Sequence, residues 1–327
     1  MVAALPVYGW RPQVLDLGDG FPYPSADVHA AACARLAAQG SKVPIVVDGL
    51  AFGVLPEAAA ALGASHCLVA LVHHPLALES GLSPGERERL AASERTALGY
   101  ARHVIATSNT TAHMLVADYG VPSAGVSVVA PGTDPPVATA AVVPRQGDDV
   151  VTLLAVGAVV PRKGFDVLVA ALGELAALPW RLMIAGDLGR SPPTAARLAA
   201  DIAARGLADR IVLRGAVSDA ELAALYAGAD LFVLPSRFEG FGMAYAEAIA
   251  HGLPVIGTTA GAIPETVPPE AGVLVAPDDV AALAAALKRL IASPVERARL
   301  AAGARAARLP SWPQQAQLFA RVLAGLA

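Results

Sequence analysis

The sequence predicts an α/β protein made of two doubly wound parallel-sheet domains. The chain has 327 residues, which at about 150 residues per domain corresponds to two domains. Short runs of Val, Ile and Leu alternate along nearly the whole chain with Ala- and Leu-rich runs typical of helices. This alternation lapses between Pro131 and Asp149, where Pro, Gly and Asp are frequent. Because open parallel sheets bind ligands at the carboxyl ends of their strands, we expect two sheets that face a ligand-binding cleft.

The lapse divides the chain into four segments. We predict an N-terminal domain over 1–134, a linker over 135–148, a C-terminal domain over 149–309, and a last helix over 310–327 that packs back toward the N-terminal domain. The predicted strands are 14–17, 45–50, 67–72, 104–107 and 126–130 in the first domain, and 150–156, 181–185, 211–214, 231–235, 255–257 and 273–276 in the second. Two helix starts carry the pattern of a capping box, Ser83 with Glu86 and Ser218 with Glu221.

The composition excludes several classes of protein. Hydrophobic residues make up 55% of the chain and charged residues 16%, which is far too apolar for a disordered protein. A net charge of −4 argues against a nucleic-acid partner held by bulk charge. The mean hydropathy of +0.53 comes largely from Ala, and no run reaches the ~18 apolar residues of a membrane span. With two cysteines and no signal-peptide pattern, the expected location is the cytoplasm.

The sharpest motif is residues 235–248, which follow a predicted strand and lead into a helix. Gly240 and Gly242 permit close approach to the backbone, and the first amides of the helix are unpaired donors at its positive end, a seat for a diphosphate. Glu247 falls about a turn into the helix, where its carboxylate can accept two ribose hydroxyl protons, and Glu239 lies on the turn. From these two carboxylates alone, the alternative in which Glu239 is a solvated loop carboxylate and Glu247 a salt-bridge partner is equally supported.

A second loop between a strand and a helix carries adjacent cations, Arg162 and Lys163, before Gly164. Arg offers a fork of donors and Lys a point charge, which are two complementary ways of holding phosphate oxygens. A basic pair at a helix start is ordinarily a surface feature. Because both loops follow strands of the same domain, we favour a shared phosphate site.

Together these residues resemble the nucleotide-sugar-binding half of glycosyltransferase family 4, over residues 150–265. Glu239 and Glu247 match the two Glu separated by seven residues that mark the family, and Lys163-Gly164 matches its Lys-Gly pair. Further matches are the Ala-Gly-Asp strand end at 185–187, the Gly-Leu-Pro-Val turn at 252–255 and the Pro-Glu turn at 264–265. The resemblance implies the GT-B fold, which consists of two Rossmann-like domains.

The resemblance also implies a retaining transfer of a hexose from a UDP- or GDP-linked donor to an unknown hydroxyl on a glycan, a lipid or a small molecule. Lys163 and Arg162 would bind the donor diphosphate, and Glu247 would hold the ribose. Glu239 would face the donor sugar together with the backbone of Gly240, Phe241, Gly242 and Met243. No cofactor or metal is expected, since the chain has no Asp-x-Asp triplet and no His-rich motif.

In the N-terminal domain, His73 and His74 follow the predicted strand 67–72. The family often places a His there, near the donor sugar, and we assign the catalytic candidate to His73 because it is nearer the strand end. A structural role for the pair is the alternative, since a lone His after a strand is more often structural.

The chain departs from the family pattern in two places. Ala158 follows Gly157 where the family usually has Arg, so phosphate binding rests on Arg162 and Lys163. Family members also open with a strand and a Gly-rich loop, whereas this chain contains no Gly-Gly pair. Residues 1–10 read as the end of a first helix and 14–17 as a second strand. This predicts an N-terminal domain that is incomplete at its start and leaves room for a partner chain that completes it.

Other functions remain open at this stage. A catalytically silent nucleotide-sugar-binding subunit would bind the donor without turning it over, and a sugar-nucleotide epimerase or hydrolase on the same fold would give a different product. An Ala-rich interaction module would make the paired Glu motif accidental. Peripheral contact with the inner face of a membrane is also open. The chain lacks a Gly-Lys-Ser/Thr phosphate loop and a Gly-x-Ser-x-Gly elbow, which argues against an NTPase and an α/β-hydrolase.

Overall fold

The computed structural model describes residues 1–136 and 150–326. These residues form two units: unit 1 comprises Met1–Gly132 with Pro310–Ala327, and unit 2 comprises Thr133–Leu309. Most of the predicted linker, residues 137–148, lies outside the described residues.

Unit 1 is built on a parallel sheet of four strands, in the spatial order β1 (Pro44–Asp48), β2 (Cys67–Val72), β3 (His103–Ala106) and β4 (Val126–Val128). The inner strand β2 is a run of six apolar residues and is largely buried, as expected for a parallel strand covered on both faces. The elements of this unit up to residue 132 are α1 (Ala26–Ala37), β1 (Pro44–Asp48), α2 (Gly49–Phe52), α3 (Pro56–Leu62), β2 (Cys67–Val72), α4 (Pro84–Leu98), β3 (His103–Ala106), α5 (Asn109–Tyr119) and β4 (Val126–Val128).

The start of the chain differs from the sequence-based prediction. The structure assigns no strand to residues 14–17, because this segment pairs with no described strand and Val14 is 77% exposed. The helix end predicted over residues 1–10 is a 3₁₀ helix, Val2–Tyr8, with Pro6 inside it. The strand prediction was wrong, because a short segment with apolar residues forms a strand only where a neighbouring strand pairs with it. The helical prediction is met by a 3₁₀ helix rather than an α-helix, and Pro6 within it has no amide to donate.

Unit 2 contains a parallel sheet of six strands, in the spatial order β10 (Gly272–Val275), β9 (Val255–Thr258), β8 (Leu231–Val233), β5 (Val151–Val156), β6 (Trp180–Ala185) and β7 (Ile211–Gly215). The order reverses at β5, which pairs with β6 on one side and β8 on the other, so this sheet is doubly wound. Among the described strands of unit 1, by contrast, the order runs in one direction. The elements of unit 2 are β5 (Val151–Val156), α6 (Phe165–Gly173), β6 (Trp180–Ala185), α7 (Pro192–Ala204), β7 (Ile211–Gly215), α8 (Asp219–Gly228), β8 (Leu231–Val233), α9 (Met243–Ala250), β9 (Val255–Thr258), α10 (Ile263–Thr266), β10 (Gly272–Val275), α11 (Val280–Ala292) and α12 (Pro294–Ala306).

Apart from 14–17, the predicted strands are confirmed to within two residues at either end. Both predicted capping boxes are also present: Ser83 caps α4 with Glu86, and Ser218 caps α8 with Glu221. In each box the serine side chain accepts from the backbone of the Glu, and the Glu side chain accepts from the backbone of the serine. The boundaries of these helices were therefore readable from the sequence.

The last helix, α13 (Trp312–Ala324), belongs to unit 1. Its buried residues Phe319 and Leu323 pack on the sheet with Leu5 of the N-terminal 3₁₀ helix. The Tyr8 hydroxyl donates to the Pro313 carbonyl at 2.9 Å, which ties the two ends of the chain together. Within the described part of the chain, no helix is both long enough and apolar enough to cross a membrane.

Candidate functional site

Two strand-end loops of unit 2 approach each other so closely that only glycine fits. The loop after β5 begins at Gly157, whose amide donates to the Ala185 carbonyl at 2.9 Å. A Cβ on Gly186, the residue after β6, would lie 1.9 Å from the Gly157 carbonyl oxygen. The Gly of the Ala-Gly-Asp strand end is therefore needed for packing between the two loops.

The cations of the first loop lie on a 3₁₀ turn, Pro161–Lys163, that ends at Gly164 in the left-handed conformation. A Cβ on Gly164 would lie 2.1 Å from the Pro235 carbonyl oxygen, in the loop that carries Glu239. The Lys163 side chain lies over Gly157, where a Cβ would meet its Cε at 3.0 Å. Glycines thus set both the turn and the space that the lysine occupies.

Glu239 is the centre of a buried charged cluster. Its side chain is only 8% exposed, and its carboxylate accepts from Lys163 Nζ at 2.7 Å and from Arg162 Nη1 at 3.0 Å. The Ser236 hydroxyl adds a third hydrogen bond at 2.6 Å. Burial raises the pKa of this carboxyl, but the charges of Lys163 and Arg162 outweigh burial and hold the pKa below its ordinary value. The structure therefore brings Glu239, Lys163 and Arg162 into one ionised cluster.

Backbone contacts fasten the Glu239 loop to its neighbours. Arg162 Nη1 also donates to the Phe238 carbonyl at 2.9 Å, and the Arg237 amide donates to the Arg162 carbonyl at 2.7 Å. On the other side, the Glu239 carbonyl accepts from the Ala262 amide at 2.9 Å. The cluster is thus held by main-chain contacts as well as by its own charges, which limits how far either loop can shift.

The turn after Glu239 leads into α9. Gly240 and Gly242 are buried, Gly242 has φ +98° at the N-cap, and Met243 is exposed at the first helical position. The Phe241 carbonyl accepts from the Thr266 hydroxyl at 2.5 Å, which fixes the turn against α10. The first-turn amides of an eight-residue helix thus begin four residues after the buried carboxylate, an arrangement suited to an anion.

Glu247 lies in the middle of α9 and is half-buried. Burial raises the pKa of its carboxyl, and the Tyr226 hydroxyl, which donates to Glu247 Oε2 at 2.9 Å, acts in the opposite direction. Tyr226 is itself stacked on His251, with ring centroids 4.9 Å apart. The carboxylate is therefore oriented by a tyrosine from α8 and keeps acceptor capacity for a ligand.

His73 lies in unit 1, directly after β2, and its side chain is 52% exposed. Its Nε2 is 3.0 Å from Asp48 Oδ2, at the end of β1. His74 Nε2 is 2.6 Å from Glu79 Oε1 and is more buried, with 19% of its side chain exposed. His73 is thus the more accessible of the two at the carboxyl edge of this sheet.

Three partners in these clusters were not predicted from the sequence: Ser236, Tyr226 and Asp48. Ser236 stands three residues before Glu239, so the spacing offered a local signal. Tyr226 and Asp48 lie 21 and 25 residues from the side chains that they contact, and only the sheet topology brings them there. Among the described residues, no group of three His, Cys, Asp or Glu side chains is arranged to hold a metal ion.

Comparison with known proteins covers both units. The family model described as "Glycosyltransferase Family 4" matches residues 14–136, and the model described as "Glycosyl transferases group 1" matches residues 150–293. The D-inositol 3-phosphate glycosyltransferase of Xylanimonas cellulosilytica is 35% identical over 285 residues, covering 80% of this chain and 68% of that protein. The MMP alpha-(1->4)-mannosyltransferase of Mycolicibacterium hassiacum is 46% identical over 101 residues, covering 30% of this chain and 25% of that protein. The chain thus spans from a quarter to about two thirds of the length of these relatives.

Comparison with solved structures also identifies the fold. Sucrose-phosphate synthase from Thermosynechococcus elongatus superposes with a TM-score of 0.77 at 26% identity, covering 92% of this chain and 78% of that one. HepE from Anabaena, solved in complex with UDP and glucose, superposes with a TM-score of 0.74 at 21% identity, covering 91% and 81%. The predicted GT-B fold is thereby confirmed, and the chain belongs to glycosyltransferase family 4.

Proposed function

We propose that this protein is a retaining glycosyltransferase that transfers a hexose from a UDP- or GDP-linked sugar to a hydroxyl acceptor. The observation that carries the proposal is the cluster of Lys163, Arg162 and buried Glu239 beside the first turn of α9. It combines two fixed cations, a set of helix amides and a carboxylate within one loop cluster. Those are the groups needed to hold a diphosphate and to orient the sugar attached to it.

In the proposed reaction the bond between the sugar carbon and the diphosphate oxygen breaks, and negative charge grows on the diphosphate as positive charge grows on the sugar. Lys163, Arg162 and the α9 amides stabilise the negative charge as it develops. Glu239 accepts from the sugar hydroxyls and orients the ring, and Glu247 accepts from the ribose. The acceptor oxygen attacks the sugar carbon from the face that the diphosphate leaves and forms the new glycosidic bond with the anomeric configuration retained, and the acceptor's proton passes to an oxygen of the departing diphosphate.

No metal ion is needed in this proposal. Two side-chain cations and a positive helix terminus face the diphosphate, and they do the work that a divalent cation does in other transferases. We expect turnover to be unchanged by EDTA, and a loss of turnover that added magnesium or manganese restores would contradict this part of the proposal.

UDP and GDP are the two nucleotides to test. HepE was solved with UDP, and a relative from Corynebacterium glutamicum, 37% identical over 133 residues, is named as GDP-mannose-dependent. Calorimetric titration of the purified protein with UDP and with GDP identifies the nucleotide that binds. UDP-glucose or GDP-mannose then serves as the donor, with D-inositol 3-phosphate, which appears in the name of the Xylanimonas cellulosilytica relative, as the first acceptor probe.

Matched variants make the titration specific to the site. Glu247→Ala is expected to weaken nucleotide binding, whereas Glu174→Ala, an exposed Glu at the end of α6, is not. Lys163→Ala is expected to lower turnover by about 100-fold to 1,000-fold, the effect of losing one preorganised donor to a developing oxyanion. Lys288→Ala, an exposed lysine of α11, is the control.

The outcomes separate the proposed function from its alternatives. Transfer to the acceptor with retained configuration supports the proposal. Binding without any turnover indicates a silent nucleotide-sugar-binding subunit, release of free sugar indicates a hydrolase, and a changed donor sugar indicates an epimerase. If neither nucleotide binds, the proposal is refuted.

A further inference from the structure

Unit 2 contains a cavity of about 120 Å³ that none of the proposed donor contacts uses. It is lined by the loop after β5, by the start of α6, by one face of α7 and by Arg237. We infer that this cavity binds a neutral, hydroxyl-rich six-membered ring, such as the ring of a monosaccharide or of a cyclitol. The inference goes beyond the proposed function and does not rest on it, because none of the residues assigned above to the donor lines the cavity.

The size of the cavity limits its ligand to one ring. An engineered protein cavity of about 150 Å³ admits benzene, so a volume of about 120 Å³ accommodates most of a six-membered ring. Pockets for drug-sized ligands have volumes of about 300–1,000 Å³. A nucleotide or a whole oligosaccharide is therefore too large to enter.

One part of the lining is apolar. Phe165 of α6 and Leu198 of α7 are 2% and 3% exposed, and the lining residues Val160 and Pro161 are half-buried. A hydroxyl-rich ring also has apolar surface, formed by its C–H groups, and removing such surface from water is favourable. The apolar part of the lining is therefore complementary to one face of the ring.

The polar part of the lining includes a cation and an anion from one face of α7. Arg197 and Asp201 are four residues apart, a spacing at which a helix brings opposite charges together. Neither side chain has an ion-pair or hydrogen-bond partner among the described residues, and both line the cavity. A guanidinium only donates and a carboxylate only accepts, so the two together match hydroxyl groups, which do both.

A second pair of charges in the lining is Arg237 with Asp166. Arg237 Nη1 and Nη2 donate to the two oxygens of Asp166 at 3.0 and 2.7 Å, and its Nε donates to Asp278 at 2.7 Å. Burial raises the pKa of Asp166, but the hydrogen bonds and the charge of Arg237 outweigh burial and lower the pKa below its ordinary value. The lining thus has two cations and two anions. Such a balance favours a neutral ligand over a phosphate or an amine.

The cavity and the charged cluster around Glu239 share one turn. Pro161 lines the cavity, whereas the next two residues, Arg162 and Lys163, contact Glu239. A sugar that binds to unit 2 must therefore be assigned to one place or the other. Because a diphosphate occupies the cluster in the proposed function, saturating UDP or GDP separates the two places in an experiment.

The first measurement locates binding through the methyl NMR signals of Leu198 and Val160, assigned by their loss in Leu198→Met and Val160→Ala. Glucose, mannose and myo-inositol are titrated singly into the full chain, with and without saturating UDP or GDP. We expect at least one of these rings to shift both signals with a dissociation constant of about 1 mM, the weak affinity of a ligand with few atoms. Leu168, a buried residue of α6 outside the lining, provides the control signal.

Three results of this titration overturn the inference. The first is the absence of a saturable shift with every ring up to about 20 mM, well above the expected constant. The second is a shift that UDP or GDP abolishes, which would place the sugar in the charged cluster. The third is a shift with inorganic phosphate or ammonium chloride and with none of the rings, which would make the cavity an ion site.

Variants of the two unpaired charges test the polar contacts. Arg197→Ala and Asp201→Ala are each expected to weaken binding of the ring by about tenfold, since each removes hydrogen bonds to a charged group. The matched controls are Arg214→Ala and Asp209→Ala, at exposed positions outside the lining, with an expected change of less than about twofold. Ala is the best helix former, so the α7 variants are expected to fold, and urea unfolding checks this. Unchanged affinity in both α7 variants overturns the inference.

The ring has two sources with the same chemistry, a free monosaccharide or cyclitol and the terminal residue of a longer glycan. Comparing glucose with maltose, and mannose with mannobiose, separates them, because each disaccharide ends in the same ring. Tighter binding of the free ring assigns the cavity to a small molecule, and tighter binding of the disaccharide assigns it to the end of a glycan.

Failure of the proposed function is recognised separately. If neither UDP nor GDP binds in calorimetry, the glycosyl-transfer proposal falls. The titrations without nucleotide, together with the α7 variants, then still decide whether the cavity binds the ring.

Discussion

Replacing Glu94 with Gln is expected to stabilise unit 1 above neutral pH and to leave it nearly unchanged in acid. Glu94 lies in α4 and is 1% exposed. Its Oε2 accepts from the Leu76 amide at 2.9 Å, and Oε1 has no hydrogen-bond partner among the described residues. Burial is the main cause that raises the pKa of this carboxyl from its ordinary value of 4.5 to about 7.

The sign and size of the expected change in unfolding free energy follow from proton linkage. Between pH 4.5 and about 7 the folded chain holds a proton on Glu94 that the unfolded chain has lost, so stability falls as the pH rises through this window. At about 1.4 kcal/mol for each pKa unit, an acid held at about 7 costs about 3 kcal/mol by pH 8. Below pH 4 both states are protonated and the cost vanishes.

Gln has the shape of the protonated acid and keeps an oxygen for the Leu76 amide, but it does not titrate. The difference in unfolding free energy between Glu94→Gln and wild type should therefore shift by about 3 kcal/mol in favour of the variant between pH 4 and pH 8. Glu88→Gln, at an exposed position of the same helix, is the control and should show no such shift.

The assay is urea unfolding at a series of pH values, read from hydrogen exchange of peptides in β2 so that it reports on unit 1 alone. Hydrogen exchange separates this unit from unit 2, whose unfolding need not be concerted with it. Parallel pH profiles for Glu94→Gln and wild type would refute the reasoning, because they would mean that Glu94 is ionised at the same pH in both folded and unfolded chains.

Three further predictions concern unit 2. Glu239→Gln leaves two adjacent cations without their buried counter-charge, so it should destabilise the unit by about 3–5 kcal/mol in thermal or urea unfolding. Added UDP or GDP should stabilise this variant more than it stabilises the wild type. Tyr226→Phe removes the hydrogen bond to Glu247 and should weaken nucleotide binding by about fivefold in calorimetry, and unchanged affinity would mean that Glu247 needs no orienting partner. Gly186→Ala forces a Cβ against the Gly157 carbonyl and should cost about 2–3 kcal/mol in urea unfolding, with weaker nucleotide binding.

The cluster of Lys163, Arg162 and Glu239 was predictable because its members follow strands of the same sheet. Lys163 comes after β5 and Glu239 after β8, and these strands are direct neighbours in the sheet. Residues that follow parallel strands lie at the same edge of the sheet, so the predicted strands and motifs were sufficient to predict that Lys163 and Glu239 lie close together. The ion pairs themselves were not predicted, because the sequence suggested separate roles for the cations and for Glu239.

The residues that the sequence did not indicate share a physical reason. Tyr226 reaches Glu247 from the face of α8, and Asp48 reaches His73 from β1, so each contact depends on how two elements pack. Val14 shows the opposite error, since a short segment with three apolar residues, Val-Leu-Asp-Leu over 14–17, forms a strand only when a neighbouring strand pairs with it. Local pattern identifies elements, whereas the pairing of elements decides which side chains meet.

The pairing of Lys163 and Arg162 with Glu239 also bears on the departure at Ala158. With one carboxylate between two cations, the cluster carries a net charge of one positive unit, and both side chains are already held in place. Ordering a free Lys or Arg costs up to about 2 kcal/mol of side-chain entropy, and here that cost is met in folding rather than in binding. A third cation at position 158 would add attraction for a diphosphate but would also add a charge beside a site that Glu239 only partly neutralises. The small residue at 158 therefore fits the proposed diphosphate site, in which affinity would come from preorganised cations and helix amides rather than from a larger number of charges.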